Sequence, residues 1–292
     1  MKDIIIPANF NYIGAFLTMD CSFKCPYCIN NHHSTRPRVT PMSGSDWVRG
    51  LNRLKITNGV PITFQGGEPT MHRDFYNIIN SVNCRTDKDL MTNLNVEINE
   101  FVENVAPSIF KRDAPYASIR VSYHNGQSDL TRLMHDVYKL QTMGYDIGVW
   151  EVDHPDDPEG VRVRAHVANR MGIDWRIKEF LGPWKGKTYG TFKYDGAVCG
   201  LLLRSCVCRT SELLVGADGF CYRCHRDLYT SSNPIGHILD KTPVKLGKWK
   251  SCDRYGECNA CDVKITTNRF QRYGHSSVEI KKIATPTSAG SV

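Results

Sequence analysis

The sequence has no apolar run approaching the roughly 18 residues that a membrane helix requires. Its first twenty residues break each apolar stretch with Pro7, Asn9 and Asn11 before a secretory core can form. The chain is therefore expected to be cytoplasmic, with no membrane partner. Low-complexity tracts and solenoid repeats are also missing. Its 41% hydrophobic, 10% aromatic and 23% charged residues exclude fibrous and disordered classes and suit one large domain with an annex. The excess of basic residues is only +7, too small to single out nucleic acid and too large to exclude it.

Cysteine falls short of the roughly 8–10% that marks a disulfide scaffold, yet there are twelve in 292 residues, and they are clustered. Three lie between Cys21 and Cys28, eight between Cys199 and Cys261, and Cys84 stands alone. In a chain long enough to bury a core unaided, grouped thiols point to metal or redox chemistry rather than to staples. Cys84, near the end of a helical stretch, reads as buried filler.

Short β-rich runs alternate with helical stretches over the first 180 residues, which predicts successive strand–helix units around a parallel sheet. The expected strands are Gly14 to Thr18, Pro61 to Phe64, Asp89 to Met91, Ser118 to Ser122, Ile147 to Val152 and Trp175 to Phe180. Helices are expected over Ser43 to Leu54, Asp74 to Val82, Ser128 to Met143 and Pro158 to Met171, where apolar residues recur at helical spacing. Gly182, Pro183, Gly186, Gly190 and Gly196 mark residues 181–197 as a linker. Residues 198–283 form a cysteine-rich region around a hairpin turning through Ala217, Asp218 and Gly219, and residues 284–292 a patternless tail.

Cys21, Cys25 and Cys28 follow the first strand directly. Three thiolates this close hold one face of a metal group and leave a coordination position without a protein ligand. A structural zinc ion completed by His32 or His33 is the alternative. About forty residues on, Gln65-Gly66-Gly67-Glu68-Pro69-Thr70 closes the second strand. There glycines admit close approach of a ligand, and a carboxylate can accept from an ammonium.

The Cys-x3-Cys-x2-Cys spacing with Tyr27 before its last cysteine, joined to Gly66-Gly67-Glu68-Pro69, resembles the signature of the radical S-adenosylmethionine (radical SAM) superfamily. The resemblance covers roughly residues 13–180. It implies a partial (β/α)6 TIM-like barrel in which Cys21, Cys25 and Cys28 hold a [4Fe-4S] cluster whose open iron is chelated by SAM. One electron then cleaves SAM to methionine and a 5′-deoxyadenosyl radical that abstracts hydrogen from a substrate. By the same resemblance Tyr27, Gly66, Gly67, Glu68, Asn93, Arg120 and Ser122 contact SAM. It further implies oxygen sensitivity and an electron donor such as flavodoxin or ferredoxin.

The second group resembles the SPASM or twitch extension that follows many such barrels, which implies at least one auxiliary [4Fe-4S] cluster. Its expected ligands are Cys206, Cys224, Cys258 and Cys261, with Cys208 the main rival for the first place. Cys199, Cys221 and Cys252 are candidates for a second cluster, and Cys208 can join either set. The run Cys252-x5-Cys258-x2-Cys261 departs from the full SPASM pattern, and paired zinc knuckles remain open.

His124, Glu151, Asp153 and His154 close strands and are expected near the same rim. Arg176 and Lys178 on the last strand are expected either to meet an anionic group inside the barrel or to pair with acids. The cysteine motif begins at residue 21 with no peptide-recognition module before it. This tilts the substrate expectation toward a small molecule or nucleotide-like compound over a peptide. Peptide maturation is the nearest alternative, and a zinc-bearing nucleic-acid-binding protein the alternative of another class.

Overall fold

The computed structural model describes residues 1–28, 39–192, 204–256 and 278–281. Six strands run parallel in chain order: β1 (Tyr12–Thr18), β2 (Ile62–Gly66), β3 (Lys88–Thr92), β4 (Ile119–Tyr123), β5 (Ile147–Asp153) and β6 (Trp175–Glu179). Between them lie α1 (Gly44–Leu51), α2 (Phe75–Ser81), α3 (Ile98–Asn104), α4 (Leu130–Thr142) and α5 (Pro158–Arg170). This is the expected partial barrel.

Strand alternation separates two faces. Ile13, Ala15, Leu17, Ile62, Phe64, Leu90, Ile119, Val121, Ile147, Val149 and Trp175 point outward into one core with Trp47, Phe75, Ile78, Phe101, Val137 and Leu140 of the helices. The intervening residues, among them Gln65, Asp89, Arg120, Ser122, Trp150 and Lys178, line the lumen. Each fully buried Phe or Leu of the outer core contributes about 1.5–3 kcal/mol, so the apolar layer holds the barrel and frees the inner face for polar groups.

Several boundaries differ from expectation. The first helix stops at Leu51, and Leu54–Lys55 instead pairs as a short parallel strand with Ile4–Ile5. Its start is fixed by Ser43, whose hydroxyl accepts from the Asp46 amide at 3.2 Å. α3 is an addition to the expected helices, because Ile98, Phe101 and Val102 give too short a periodic run. Cys84 is exposed rather than buried, since it lies in the loop beyond the end of α2. Within the expected linker, Gly182–Trp184 and Lys187–Tyr189 pair as an antiparallel hairpin.

Beyond residue 203 come β7 (Arg204–Thr210), β8 (Glu212–Val215), β9 (Phe220–Tyr222), α6 (His225–Tyr229), β10 (Gly236–His237), β11 (Lys250–Tyr255) and β12 (Val278–Lys281). The expected hairpin is β8–β9, but it is not separate from the barrel sheet. β8 pairs in parallel with β1, Glu212 opposite Tyr12, giving nine strands in the order β10-β9-β8-β1-β2-β3-β4-β5-β6. β7 sits between β11 and β12 in a small antiparallel sheet.

Candidate active site

The loop leaving β1 carries the three amino-terminal thiols. Cys25 is buried, Cys21 and Cys28 are partly so, and the Cys28 amide donates to the Cys25 carbonyl at 3.1 Å, closing the loop into a turn. Burial first, and then the neighbouring Cys28 and Cys21, push the Cys25 thiol up to about 12. Burial likewise raises Cys21. Three thiolates here are stable only beside a positively charged partner, as a metal group provides.

The β2 exit is stitched to this loop. Gly67 donates to the Thr18 carbonyl at 2.9 Å and Glu68 to the Asp20 carbonyl at 2.7 Å. Gly66 has φ of +153°, and a Cβ on Gly67 would collide with the carbonyls of Asp20 and Met19, so neither position accepts a side chain.

Glu68 is placed differently from expectation. Its Oε1 accepts from the Thr70 amide at 3.2 Å, the Thr70 hydroxyl at 2.7 Å and the Thr92 hydroxyl at 2.7 Å, while Oε2 accepts from the Asn93 amide at 2.6 Å. At 1% exposure the carboxylate has no path to a ligand ammonium. It serves as a tie between the ends of β2 and β3, and burial raises its pKa against those four bonds.

Asn93 does come to the thiol loop. Its Nδ2 lies 3.8 Å from Cys21 Sγ and donates to Ser22 Oγ at 3.1 Å. Ser122 faces the lumen near the end of β4. Arg120 does not reach that rim: it sits one step into β4, and Asp89 holds it at 3.1 Å. Arg112 shares the same carboxylate at 2.7 Å. The Tyr27 hydroxyl and His124 Nδ1 are hydrogen-bonded at 2.9 Å, and the Tyr27 ring packs 4.9 Å from His154 and 6.1 Å from Phe180. Burial lowers the His124 pKa to about 4, which favours the neutral ring.

This aromatic wall, extended by Trp184 4.7 Å from His154, is not legible in sequence as a unit, because Trp184 comes from the hairpin found in the expected linker and Phe180 meets it only through that turn. With Glu151 and Arg164 it borders a cavity of about 230 Å³. Glu151 itself is buried under α5, accepting from Arg164 at 2.6 Å and from Trp175 Nε1 at 3.1 Å, so it is an anchor of the helix layer.

The carboxy-terminal thiols group otherwise than expected. Cys206 and Cys208 share one face of β7, and Cys252 stands opposite Cys206 on β11. Their three sulfurs lie within 4.8 Å of one another. The Arg223 guanidinium is 3.6 Å from Cys208 Sγ. A hydrogen bond from Cys208, aided by Arg223, holds the Cys252 thiol below its ordinary pKa. Among the described residues, Cys252 therefore stands with Cys206 and Cys208.

Cys224, at the start of α6, lines a cavity of about 860 Å³ with Cys208 and Cys252. Cys221 is wholly buried in the main apolar core, because it alternates outward on β9, and it is no ligand candidate. Cys199, Cys258, Cys261, His32 and His33 fall outside the described residues.

Comparison with known proteins agrees with this arrangement. Residues 16–139 match the Radical SAM superfamily. The chain is 26% identical over 141 residues to the PqqA peptide cyclase of Rhodopseudomonas palustris, covering 48% of this chain and 36% of that one. It is 32% identical over 82 residues to the GTP 3′,8-cyclase of Photorhabdus laumondii, covering 25% and 23%. The matched parts are thus well under two thirds of these relatives' lengths. In fold it is similar to native anSMEcpe with bound AdoMet, at a TM-score of 0.52 and 15% identity, covering 79% of this chain and 78% of that one.

The superfamily implies a [4Fe-4S] cluster and SAM, and the residues present suit both. The Gly66–Gly67 backbone excludes side chains beside the loop that carries Cys21, Cys25 and Cys28, and three cysteines on one short loop supply the donor type that an iron–sulfur cluster takes. No helix among the described residues is long and apolar enough to cross a membrane.

Proposed function

Since residues 16–139 belong to the radical SAM superfamily, we propose that this enzyme cleaves SAM reductively and abstracts hydrogen from a small-molecule or nucleotide-like substrate, leading to oxidation, rearrangement, epimerisation or bond formation. The observation that carries this reading is the convergence of the Cys21–Cys28 loop, the Gly66–Gly67 cradle and Asn93 at one end of the barrel. When bound, the cluster supplies the electron that splits SAM to methionine and the 5′-deoxyadenosyl radical.

The chain's own residues divide the remaining work. Cys21, Cys25 and Cys28 hold the cluster, and the backbone of Gly66 and Gly67 receives the methionine end of SAM. Asn93 and Ser122 contact the ribose. Tyr27, fixed by His124, walls the adenine side and keeps water from the reacting atoms. Glu68 acts indirectly, by holding Gly67 and Asn93 in place. Cys206, Cys208 and Cys252, with Cys224, Cys258 or Cys261 as the fourth, hold an auxiliary cluster. A small flavodoxin- or ferredoxin-like protein supplies the electron.

A second reading, peptide maturation, is favoured by the 141-residue match to a peptide cyclase. Deuterium transfer into 5′-deoxyadenosine from labelled nucleotides against labelled peptides separates the two.

The test is anaerobic purification, iron and sulfide analysis, then reduction in the presence of SAM. About eight irons per chain, four for each cluster, and 5′-deoxyadenosine formation are expected. Cys25→Ala should abolish that formation; activity surviving the change overturns the assignment.

A further inference from the structure

The carboxy-terminal thiols lie against a fixed cation. Arg223 stands between β9 and Cys224, and with Cys208, Cys224 and Cys252 it lines the cavity of about 860 Å³. Its guanidinium divides its nitrogens among three partners. Nη1 donates to Cys208 Sγ at 3.6 Å, Nη2 to the Ser251 carbonyl at 2.9 Å and Nε to Asp227 Oδ2 at 3.3 Å.

Each anchor is itself held. Asp227 of α6 is buried, and its Oδ1 accepts from the Ser232 hydroxyl and the Asn233 side-chain amide, both at 3.4 Å. Ser251 precedes Cys252 on β11, so one guanidinium plane ties α6 to the strand that bears the third thiol. The Arg223 side chain is only 13% exposed, so water and salt screen its charge weakly. Because the sulfurs of Cys206, Cys208 and Cys252 lie within 4.8 Å of one another, a charge fixed beside one of them acts on all three. The amino-terminal loop is served differently: there Asn93 brings an uncharged amide to 3.8 Å from Cys21 Sγ.

We propose that Arg223 is a positioning residue that raises the reduction potential of an auxiliary cluster held by Cys206, Cys208 and Cys252. The proposal rests on the auxiliary-cluster reading given above and assigns a role beside those ligands. One-electron reduction adds negative charge to a cluster and its thiolates, and a cation fixed at hydrogen-bonding distance from sulfur favours that form over the oxidised one. Arginine suits the task because its charge is permanent and its planar fork serves sulfur, carbonyl and carboxylate at once.

The test is a redox titration of the reconstituted holoenzyme followed by electron paramagnetic resonance, wild type beside Arg223→Gln and Arg223→Lys, with iron analysis of each preparation. The auxiliary signal is the one that added SAM leaves unchanged. In Arg223→Gln its reduced-to-oxidised ratio at a fixed solution potential should fall at least about ten-fold, which is about 59 mV for one electron. Arg223→Lys, which keeps the charge and loses the fork, should show a smaller fall, and the SAM-responsive signal should titrate as in wild type. An unchanged auxiliary potential in Arg223→Gln, or an equal fall in both signals, overturns the proposal. If Arg223→Gln alone loses the auxiliary irons, the lysine variant decides: a lowered ratio supports the proposal and an unchanged one overturns it. Loss of those irons from both variants makes Arg223 a structural support and also overturns it. Wild type with only about four irons and no SAM-indifferent signal instead refutes the auxiliary-cluster reading, and the proposal falls with it.

Discussion

Glutamine in place of Glu68 removes the charge from the tie between β2 and β3 while keeping its shape. The carboxylate is 1% exposed and accepts four hydrogen bonds, two of them from the Thr70 and Asn93 amides, which cannot reverse direction. An amide in the same place keeps one acceptor oxygen and turns an N–H toward one of those backbone donors. Hydrogen bonds to a charged group contribute about 1.5–3 kcal/mol, and a buried donor left unpaired costs about 1–3 kcal/mol. Because the remaining bonds are partly kept, Glu68→Gln should lower unfolding free energy by about 2–4 kcal/mol. For a chain of this size that is a Tm drop of about 4–8 °C. The assay is anaerobic thermal and urea unfolding of the variant beside Thr92→Val, which removes one donor to Glu68 and also the acceptor of the Leu94 amide at 2.9 Å, and should cost about 1–3 kcal/mol. SAM affinity should fall at least about ten-fold in Glu68→Gln as Gly67 and Asn93 lose their positions. A variant within about 0.5 kcal/mol of wild type, with unchanged SAM affinity, would refute the claim that this carboxylate organises the site.

Other outcomes follow from the same geometry. Cys252→Ala should lower the iron content by about four per chain, whereas Cys221→Ala, altered inside the apolar core, should retain it; iron analysis of both decides whether Cys206, Cys208 and Cys252 form the ligand group. The His124 pKa is depressed, so its contribution to stability is complete above the ordinary value of 6.5 and is lost as pH falls from there toward about 4. Melting curves of the unloaded chain across that range should show the loss, and His124→Gln should flatten it. Asp89→Asn leaves Arg112 and Arg120 buried without their shared carboxylate and should cost about 3–5 kcal/mol in urea unfolding; a change below about 1 kcal/mol would mean that the two arginines find other partners.

The barrel is legible in sequence because its strands obey a strict alternation. Ile13, Ala15 and Leu17 face one way, and the side chains between them can only face the other. The thiol loop is equally legible, since its three cysteines are neighbours along the chain. Legibility fails where partners are distant in sequence. Nothing local to Glu68 announces that Thr92 and Asn93 will saturate it, and Arg120 reads as a free cation until Asp89 arrives from another strand. The grouping of Cys206 with Cys252 depends on the β7–β11 register, which spacing does not encode. Cys221 and Cys224 look like a pair in sequence, but only Cys224 lies outside the core, because β9 turns Cys221 toward the helices.

The parallel pairing of β8 with β1 bears on any attempt to divide the protein. An incomplete barrel has a bare edge at its first strand, and exposed strand edges recruit other chains. Here the carboxy-terminal half supplies the missing neighbour from Tyr12 to Ala15, a few residues upstream of Cys21. Truncation before residue 204 would therefore yield a sticky fragment with a loosened thiol loop, not a self-sufficient half, and the two cysteine-bearing regions would have to be expressed and studied as one unit.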